Sequence, residues 1–191
     1  MKPALVIAAA VALSVTVALA AERREHDAHE HGHATMHVVL EGETLAIELE
    51  APGMDVVGFE HAPKDANGKA KVWKALSLLE NASAMFTLPK AAECTVGHVH
   101  AENETMETGE RREHGHKDEG TSKERAAEES GSHSAFHAKY EWRCAHPDAL
   151  GKAQVHYFKH FSGTDEIEAI ILGPSGQTAQ ELTADTPDIQ F

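Results

Sequence analysis

Basic side chains are scarce in this sequence. Its 191 residues contain 17 Lys plus Arg against 31 Asp plus Glu, which gives a formal net charge of -14 at pH 7. Binding to nucleic acid requires a basic face, so this balance argues against that class of function. An acidic surface instead raises the local concentration of cations, which makes metal ions the better candidates for a ligand.

Sequence patterns of catalysis are also scarce. No G-x-S-x-G is present, and the one H-E-x-x-H, HEHGH at residues 29–33, would make Glu30 the general base of a metalloprotease helix. Such a helix must be buried so that its ligands are fixed. Residues 21–35 contain no Val, Ile, Leu or aromatic residue, and Gly32 interrupts the helix. We therefore expect no enzyme activity, and we interpret this segment as a disordered, His-rich tail.

The first residues are typical of an exported protein. Residues 1–20 contain one Lys followed by an uncharged apolar run that closes on Ala18-Leu-Ala20. This pattern predicts a cleaved signal peptide and not a membrane anchor, and no Cys follows the run to accept a lipid. We expect a periplasmic chain that begins near Ala21 and has no membrane span after cleavage.

Cysteine is limited to Cys94 and Cys144. In an oxidising compartment a single pair most simply forms a disulfide, and we predict that bond. The alternative is that both thiolates are zinc ligands, although the two residues lie far apart and no C-x-x-C spacing is present.

Apolar residues divide the mature chain into two foldable parts. Residues 36–100 begin with an alternating stretch that turns around Gly42, which is typical of a β-hairpin. A helical pattern follows, and its apolar face would hold Val72, Trp73, Leu76 and Leu79. Residues 135–191 contain further strand patterns. Between the two parts, residues 101–134 contain no Val, Ile, Leu or aromatic residue, so we predict a disordered, acidic, His-rich insert.

The two foldable parts open with similar residues. His33-Ala-Thr-Met-His37 and His133-Ser-Ala-Phe-His137 both follow a His-rich run and both lead into a predicted strand. The similarity favours duplication, although a match of five positions also arises by chance. We expect an α/β (α+β) fold of two small pseudo-symmetric lobes. They should pack together, because each alone buries too little surface.

Histidine is abundant, with 15 residues in the chain. Imidazole binds zinc, copper and nickel, and an ordered zinc site needs three or four donors. Histidines at strand starts or in rigid segments can be held in place, whereas those of the tail and insert would bind weakly. We predict ordered-site ligands at His37, His61, His137, His156 and His160, with Glu60 as a carboxylate ligand or partner. Weak capture is predicted at His26, His29, His31, His33, His98, His100, His114, His116 and His133.

Several segments resemble the ZrgA family of periplasmic zinc-uptake proteins. They are HEHGH in the tail, HATMHVVLEGETLAIELEAPGMDVVGFEHAP, TLPKAAEC, the His-rich insert and the ending GQTAQELTADTPDIQF. The resemblance implies two similar α/β halves joined by a His-rich segment. It also implies that the chain binds Zn²⁺, assists zinc acquisition and passes the ion to a zinc ABC importer or its binding protein. The insert departs from the family pattern, because it is more acidic and less dense in His than a continuous polyhistidine loop.

Two other functions stay open from the sequence. The first is copper or nickel binding in the periplasm, since Cu(II) outcompetes zinc for nitrogen ligands. The chain has no Met-rich cluster, however, and no His at the third position after Ala20. The second is a non-catalytic interaction protein of the envelope, in which the histidines would be incidental.

Overall fold

The computed structural model of the protein describes residues 31–106 and 134–191. In the first range lie β1 (His33–Glu41), β2 (Thr44–Pro52), α1 (Gly53–Val57), α2 (Ala66–Leu79), α3 (Ala82–Met85), β3 (Phe86–Thr87) and β4 (Cys94–Asn103). In the second lie β5 (Ala135–Cys144), β6 (Lys152–Val155), β7 (Glu166–Gly173), β8 (Gly176–Thr183) and β9 (Asp188–Gln190). Short 3-10 helices occur at Lys90–Ala92, Pro147–Ala149 and Tyr157–Lys159.

Several predicted features lie outside the described residues. They are the signal peptide (1–20), most of the tail and of the insert, and the predicted weak ligands His26, His29, His114, His116 and His133. Among the helices that the structure does describe, none is long and apolar enough to span a membrane.

The strands form two sheets. The larger has six strands in the order β4-β5-β2-β1-β7-β8, and the smaller has three in the order β3-β6-β9. β1 runs parallel to β7, and the other neighbouring strands of the larger sheet are antiparallel. The predicted hairpin is confirmed as β1 and β2, with Gly42 at a φ of 57° in its turn.

Alternation fixes which face of the large sheet is buried. Along β1 the side chains of Ala34, Met36, Val38 and Leu40 are buried, and the residues between them are exposed or half-buried. Successive side chains of a strand point to opposite faces, so one face of this strand joins the core. The same alternation recurs on β2, β5 and β7.

Helix α2 supplies part of the opposing layer. Its N-cap is Asp65, whose Oδ1 accepts a hydrogen bond of 2.7 Å from the Gly68 backbone N–H. Its buried residues are Val72, Ala75, Leu76 and Leu79. The predicted apolar face is correct except for Trp73, which is 48% exposed because it lies one position beyond the buried stripe.

Tyr140 shows how α2 and the sheet meet. This fully buried side chain of β5 donates a 2.7 Å hydrogen bond from its hydroxyl to the carbonyl oxygen of Leu79 at the end of α2. Its ring lies edge-on to Phe86, with a centroid separation of 4.9 Å, and stacks on Trp142 at 5.8 Å. The aromatic contacts and the satisfied hydroxyl join both parts of the chain in one core.

The α+β class is confirmed, but the boundary between the two predicted lobes does not divide the sheet. β5, from the second part, lies between β4 and β2 of the first part. The two parts of the chain also differ in their helices. The first part contains three α-helices, and the described second part contains only 3-10 helices. Pairing between the halves therefore supplies the burial that each half lacks alone.

Strands β1 and β4 extend into segments that the sequence predicts to be disordered. β1 already begins at His33, and β4 continues to Asn103. Asn103 is buried, and its Nδ2 donates to Ser134 Oγ at 3.2 Å and to the Ala135 carbonyl oxygen at 3.1 Å. These positions are held by backbone pairing and a polar side chain, which a search for apolar residues does not detect.

The predicted disulfide joins Cys94 and Cys144, which are register partners at the ends of β4 and β5. Both sulfurs are used by this bond, so neither is available as a zinc ligand. The bond ties an edge strand to its neighbour at one end, and the Asn103 hydrogen bonds tie the same two strands at the other.

Replacing Cys94 and Cys144 together by Ala should lower the free energy of unfolding by about 4 kcal/mol, the chain-entropy value for a separation of 50 residues. Urea unfolding followed by circular dichroism measures the change. Wild-type protein with reductant should unfold at the same urea concentration as the variant. Equal stability of variant and oxidised wild type would show that the disulfide does not constrain the unfolded chain as expected.

Candidate metal-binding face

The face of the large sheet opposite the core carries a dense set of His and Glu side chains. We call it the open face; it comprises the side chains that alternate with the buried residues of the strands. Cross-strand register places His37 on β1 opposite Glu48 on β2, and Glu50 on β2 opposite His137 on β5. On the far side of β5, His137 faces Glu102 of β4. Imidazole and carboxylate donors thus occupy four adjacent strands.

A shallow groove of about 210 Å³ runs through this set. Its lining consists of His37, Glu48, Leu49, Glu50, Glu102, His137, Ala138 and Lys139. The groove is open to solvent, and its donors project from hydrogen-bonded strands, which fix their backbone positions more firmly than a loop would.

His137 is the most enclosed imidazole of the groove. Its side chain is 27% exposed, its Nε2 lies 3.2 Å from Glu104 Oε1, and its Nδ1 lies 3.8 Å from Glu50 Oε2. A carboxylate beside one ring nitrogen orients the imidazole and raises its basicity toward a metal on the other nitrogen. His137 can therefore bind an ion together with one of these glutamates. Alternatively, the glutamate orients the imidazole ring while His137 alone binds the ion.

His37 and His137 lie on strands separated by β2, and Glu48 and Glu50 lie between them. Across residues 31–106 and 134–191, no three His, Cys, Asp or Glu side chains are already grouped to hold a metal. Zinc prefers four donors in a tetrahedron, so binding requires side chains of the groove to turn toward the ion. The groove supplies the donor types and the positions, and rotamer changes must supply the final geometry.

Among the described residues that line the groove, Lys139 is the one Lys or Arg. Its Nζ lies 3.1 Å from Glu48 Oε1, and both side chains are more than half exposed. Such a surface ion pair contributes little, so Glu48 can exchange Lys139 for a metal ion at small cost.

His156 and His160 do not contribute to the groove. They flank the 3-10 helix Tyr157–Lys159 and do not form the helical face that would have aligned them. The ammonium of Lys159 donates to His156 Nδ1 at 3.0 Å, and His156 Nε2 lies 2.8 Å from Thr87 Oγ1. Partial burial and the nearby charges of Lys159 and His160 lower the pKa of His156, and both of its ring nitrogens have hydrogen-bond partners.

His61 and His160 lie beside lysines. The His61 ring stacks on Phe59 with a centroid separation of 5.1 Å, in a groove that also contains Lys64 and Lys71. His160 lines a separate groove with Lys71. Nearby ammonium groups repel a metal cation. Of the five predicted ordered ligands, only His37 and His137 line the same groove.

Three histidines that we assigned to weak capture belong to the sheet. His33 Nδ1 lies 3.9 Å from Glu166 Oε1, and His100 Nε2 lies 3.5 Å from Glu102 Oε2. His98 and His100 are both on β4. These residues have fixed backbone positions and are not part of mobile arms.

The profile of the ZrgA family zinc uptake protein matches residues 28–191, which is most of the chain. The chain belongs to the ZrgA family. A search of curated proteins gives no match. The family description names zinc uptake, which is a non-enzymatic role and which agrees with the His and Glu donors on the open face of this ZrgA-family chain.

The metalloprotease interpretation of HEHGH has no support in the residues that the structure describes. Gly32 has a φ of 85°, and β1 begins at the next residue, so residues 31–33 are a turn and the start of a strand. His31 Nε2 lies 2.8 Å from Glu60 Oε1. Glu60 therefore pairs with the end of the tail and is not among the residues that line the open-face groove.

Asp55 anchors the same turn and was missed in the sequence. It is 5% exposed, and its two carboxylate oxygens accept the Gly32 backbone N–H at 3.0 and 2.9 Å. Burial raises the pKa of the Asp55 carboxyl, and the charges of Asp165 and Glu60 raise it further. The Gly32 hydrogen bond and the charge of His31 act in the opposite direction.

The carboxylates of the groove were also missed. In TLAIELEA, Glu48 and Glu50 alternate with buried Leu and Ile residues, a pattern that directs both glutamates to the polar face. That signal was present in the sequence. Glu102 lies in a segment that the sequence predicts to be disordered, and nothing local indicates that pairing with β5 would order it.

Asp55→Asn tests the anchoring carboxylate. Because the pKa of Asp55 is raised in the folded state, its contribution to stability is fully present below the unfolded pKa and is lost as pH rises through the folded pKa. The stability of wild type relative to Asp55→Asn should therefore fall as the pH is raised above about 4, the ordinary pKa of an Asp carboxyl. Urea unfolding at several pH values measures this difference.

The exposed Asp185→Asn substitution is the matched control, because it removes a carboxylate that lies outside the buried turn. A stability difference for Asp55→Asn that grows with rising pH would show that the Gly32 hydrogen bond, and not burial, dominates the carboxylate.

Proposed function

We propose that this chain captures zinc in the periplasm and assists zinc acquisition, with the open-face groove as the binding site. One observation carries the proposal: His37 and His137 flank Glu48 and Glu50 of the central strand β2, with Glu102 beside His137. These are nitrogen and oxygen donors of the kind that zinc takes from proteins. Membership of a zinc-uptake family supports the choice of metal.

The exposure of the groove suits a carrier. A structural zinc site is closed by four protein ligands, and the ion contributes to folding. Here the fold is held by its apolar core and disulfide, so the ion is not needed for folding. A site that solvent and a partner can reach allows the ion to be handed on.

His137 is the proposed anchor ligand. It is the less exposed of the two imidazoles in the groove, and carboxylate oxygens of Glu50 and Glu104 lie 3.8 and 3.2 Å from its two ring nitrogens. His37 and Glu48 approach from the next strands, and rotation of their side chains would complete a four-donor set. The net charge of -14 favours the approach of a cation from solution.

The histidines outside the described residues have a different proposed role. His26, His29, His114, His116 and His133 would collect zinc weakly and pass it to the groove. The periplasmic location rests on the sequence of residues 1–20, and the disulfide agrees with an oxidising compartment. We propose a zinc ABC importer or its binding protein as the recipient of the ion.

Zinc titration of the metal-stripped protein tests the groove. His137→Ala and His37→Ala should each weaken the tight class of binding by about tenfold or more, and Glu50→Gln should weaken it by about tenfold. Isothermal calorimetry measures these affinities. Retention of tight binding in the His37→Ala/His137→Ala double variant would overturn the assignment.

His156→Ala is the matched control, because both nitrogens of His156 already have partners and no carboxylate is among them. It should bind zinc as wild type does. If His156→Ala abolished tight binding and the groove variants did not, the site would lie beside the 3-10 helix.

Replacing residues 107–133 by a short Gly-Ser linker should preserve the tight class and remove part of the weak class. The replacement is feasible because Asn103 and Ser134, on either side of the segment, are in hydrogen-bond contact. The same calorimetric titration counts the sites of each class. Loss of the tight class in the shortened chain would place the principal ligands in the deleted segment.

A further inference from the structure

β4 is an edge strand of the large sheet, and its outer edge is unprotected in the described part of the chain. It pairs with β5 on one side, and within residues 31–106 and 134–191 no strand pairs with its other side. An unpaired edge presents backbone N–H and C=O groups that can pair with another chain. Proteins usually protect such an edge with Lys or Pro, but β4 reads CTVGHVHAEN and contains neither.

The edge carries two imidazoles on one face. His98 and His100 are two residues apart, so their side chains project from the same side of the strand. Both are exposed, and they lie in register with Glu141 and Lys139 of β5, which places them on the open face. Two histidines at this spacing on a strand can approach one metal ion together.

One copy of the chain leaves such a site incomplete. Two imidazoles fill half of the tetrahedron that zinc prefers. The next side chain on β5 is Lys139, opposite His100, and its ammonium disfavours a cation there. Glu102 Oε2 lies 3.5 Å from His100 Nε2 and Glu141 lies opposite His98, but within the described residues no three His, Cys, Asp or Glu side chains are grouped to hold a metal.

We propose that two copies pair antiparallel through their β4 edges about a two-fold axis at Val99, and that one zinc ion bridges them. In this register His98 lies opposite the partner's His100, and His100 lies opposite the partner's His98. Directly opposed residues in antiparallel strands have Cβ atoms about 4.5–5.5 Å apart, so four imidazoles surround one position. The interface is isologous, as a two-fold dimer requires.

The other face of the edge is apolar and fits the same register. Val99 is half-buried and lies opposite Tyr140, on the core side of the strand. At the axis it would meet the partner's Val99. Nearby Val96 is 56% exposed although it lies opposite buried Trp142, and a second copy would cover part of it.

A β-bulge explains why the pairing should depend on zinc. The register between β4 and β5 shifts between Val96 and His98, and such a bulge interrupts regular edge pairing. Regular pairing is then limited to about residues 97–101 of each copy, which is too short to be stable by itself. The metal ion supplies the remaining interaction, so the fraction of dimer depends on the zinc concentration.

This bridging site adjoins the open-face groove, because Glu102 lines the groove and its Oε2 lies 3.5 Å from His100 Nε2, but it uses different histidines. Its ligands are His98 and His100, whereas the groove uses His37 and His137 on other strands. The dimer therefore does not require that the groove assignment be correct.

Sedimentation velocity of the purified, metal-stripped chain tests the dimer. Without zinc, wild type should be a monomer. Once the groove is saturated, about half an equivalent of additional zinc per chain should convert the protein into a dimer of twice the mass. The His98→Ala/His100→Ala variant should stay monomeric at the same zinc concentration. His37→Ala/His137→Ala should still dimerise, which separates this inference from the proposed function.

His146→Ala is the control for removal of an exposed histidine away from the edge, since this side chain is 63% exposed and lies beside Glu93. It should dimerise as wild type does. A wild-type chain that stays monomeric at saturating zinc would overturn the proposal. A zinc-induced dimer that persists in His98→Ala/His100→Ala would overturn it equally.

Discussion

The pairing of β5 with both β2 and β4 is the constraint on which the rest of the structure depends. It inserts a strand from the second part of the chain between two strands of the first. On the buried face this brings Tyr140 and Trp142 against Phe86 and the end of α2. On the polar face it brings His137 between Glu50 and Glu102. Core and candidate site are thus two faces of one set of backbone hydrogen bonds.

Much of the local structure could be read from the sequence. Period-two alternation predicted the β1–β2 hairpin, and 3.6-residue periodicity predicted α2, since both patterns arise within about ten residues. The placement of β5 could not be predicted in this way. Pairing between strands that are distant in sequence leaves no local pattern, and the repeated His-x-x-x-His motif suggested two lobes where the strands of the halves are shared in one sheet.

Only part of the candidate site could be predicted from the sequence, for the same reason. His37 and His137 were selected because they stand near strand starts, and the sheet brings them to one groove. His156 and His160 were selected by spacing alone, and the backbone between them turns as a 3-10 helix that leaves them beside lysines. Spacing predicts a shared face only when the secondary structure is known. Register supplied the neighbours Glu48, Glu50 and Glu102, and register depends on contacts across the whole sheet.

The closeness of Asn103 and Ser134 has an evolutionary consequence. β4 and β5 are antiparallel neighbours, so residues 104–133 occupy the place of a hairpin turn. The free energy of closing such a connection grows only with the logarithm of its length, and each doubling costs about 0.6 kcal/mol. Insertions, deletions and changes of composition can therefore accumulate between these strands while the sheet register stays the same. The number of histidines in this segment could therefore change without altering a position in the groove.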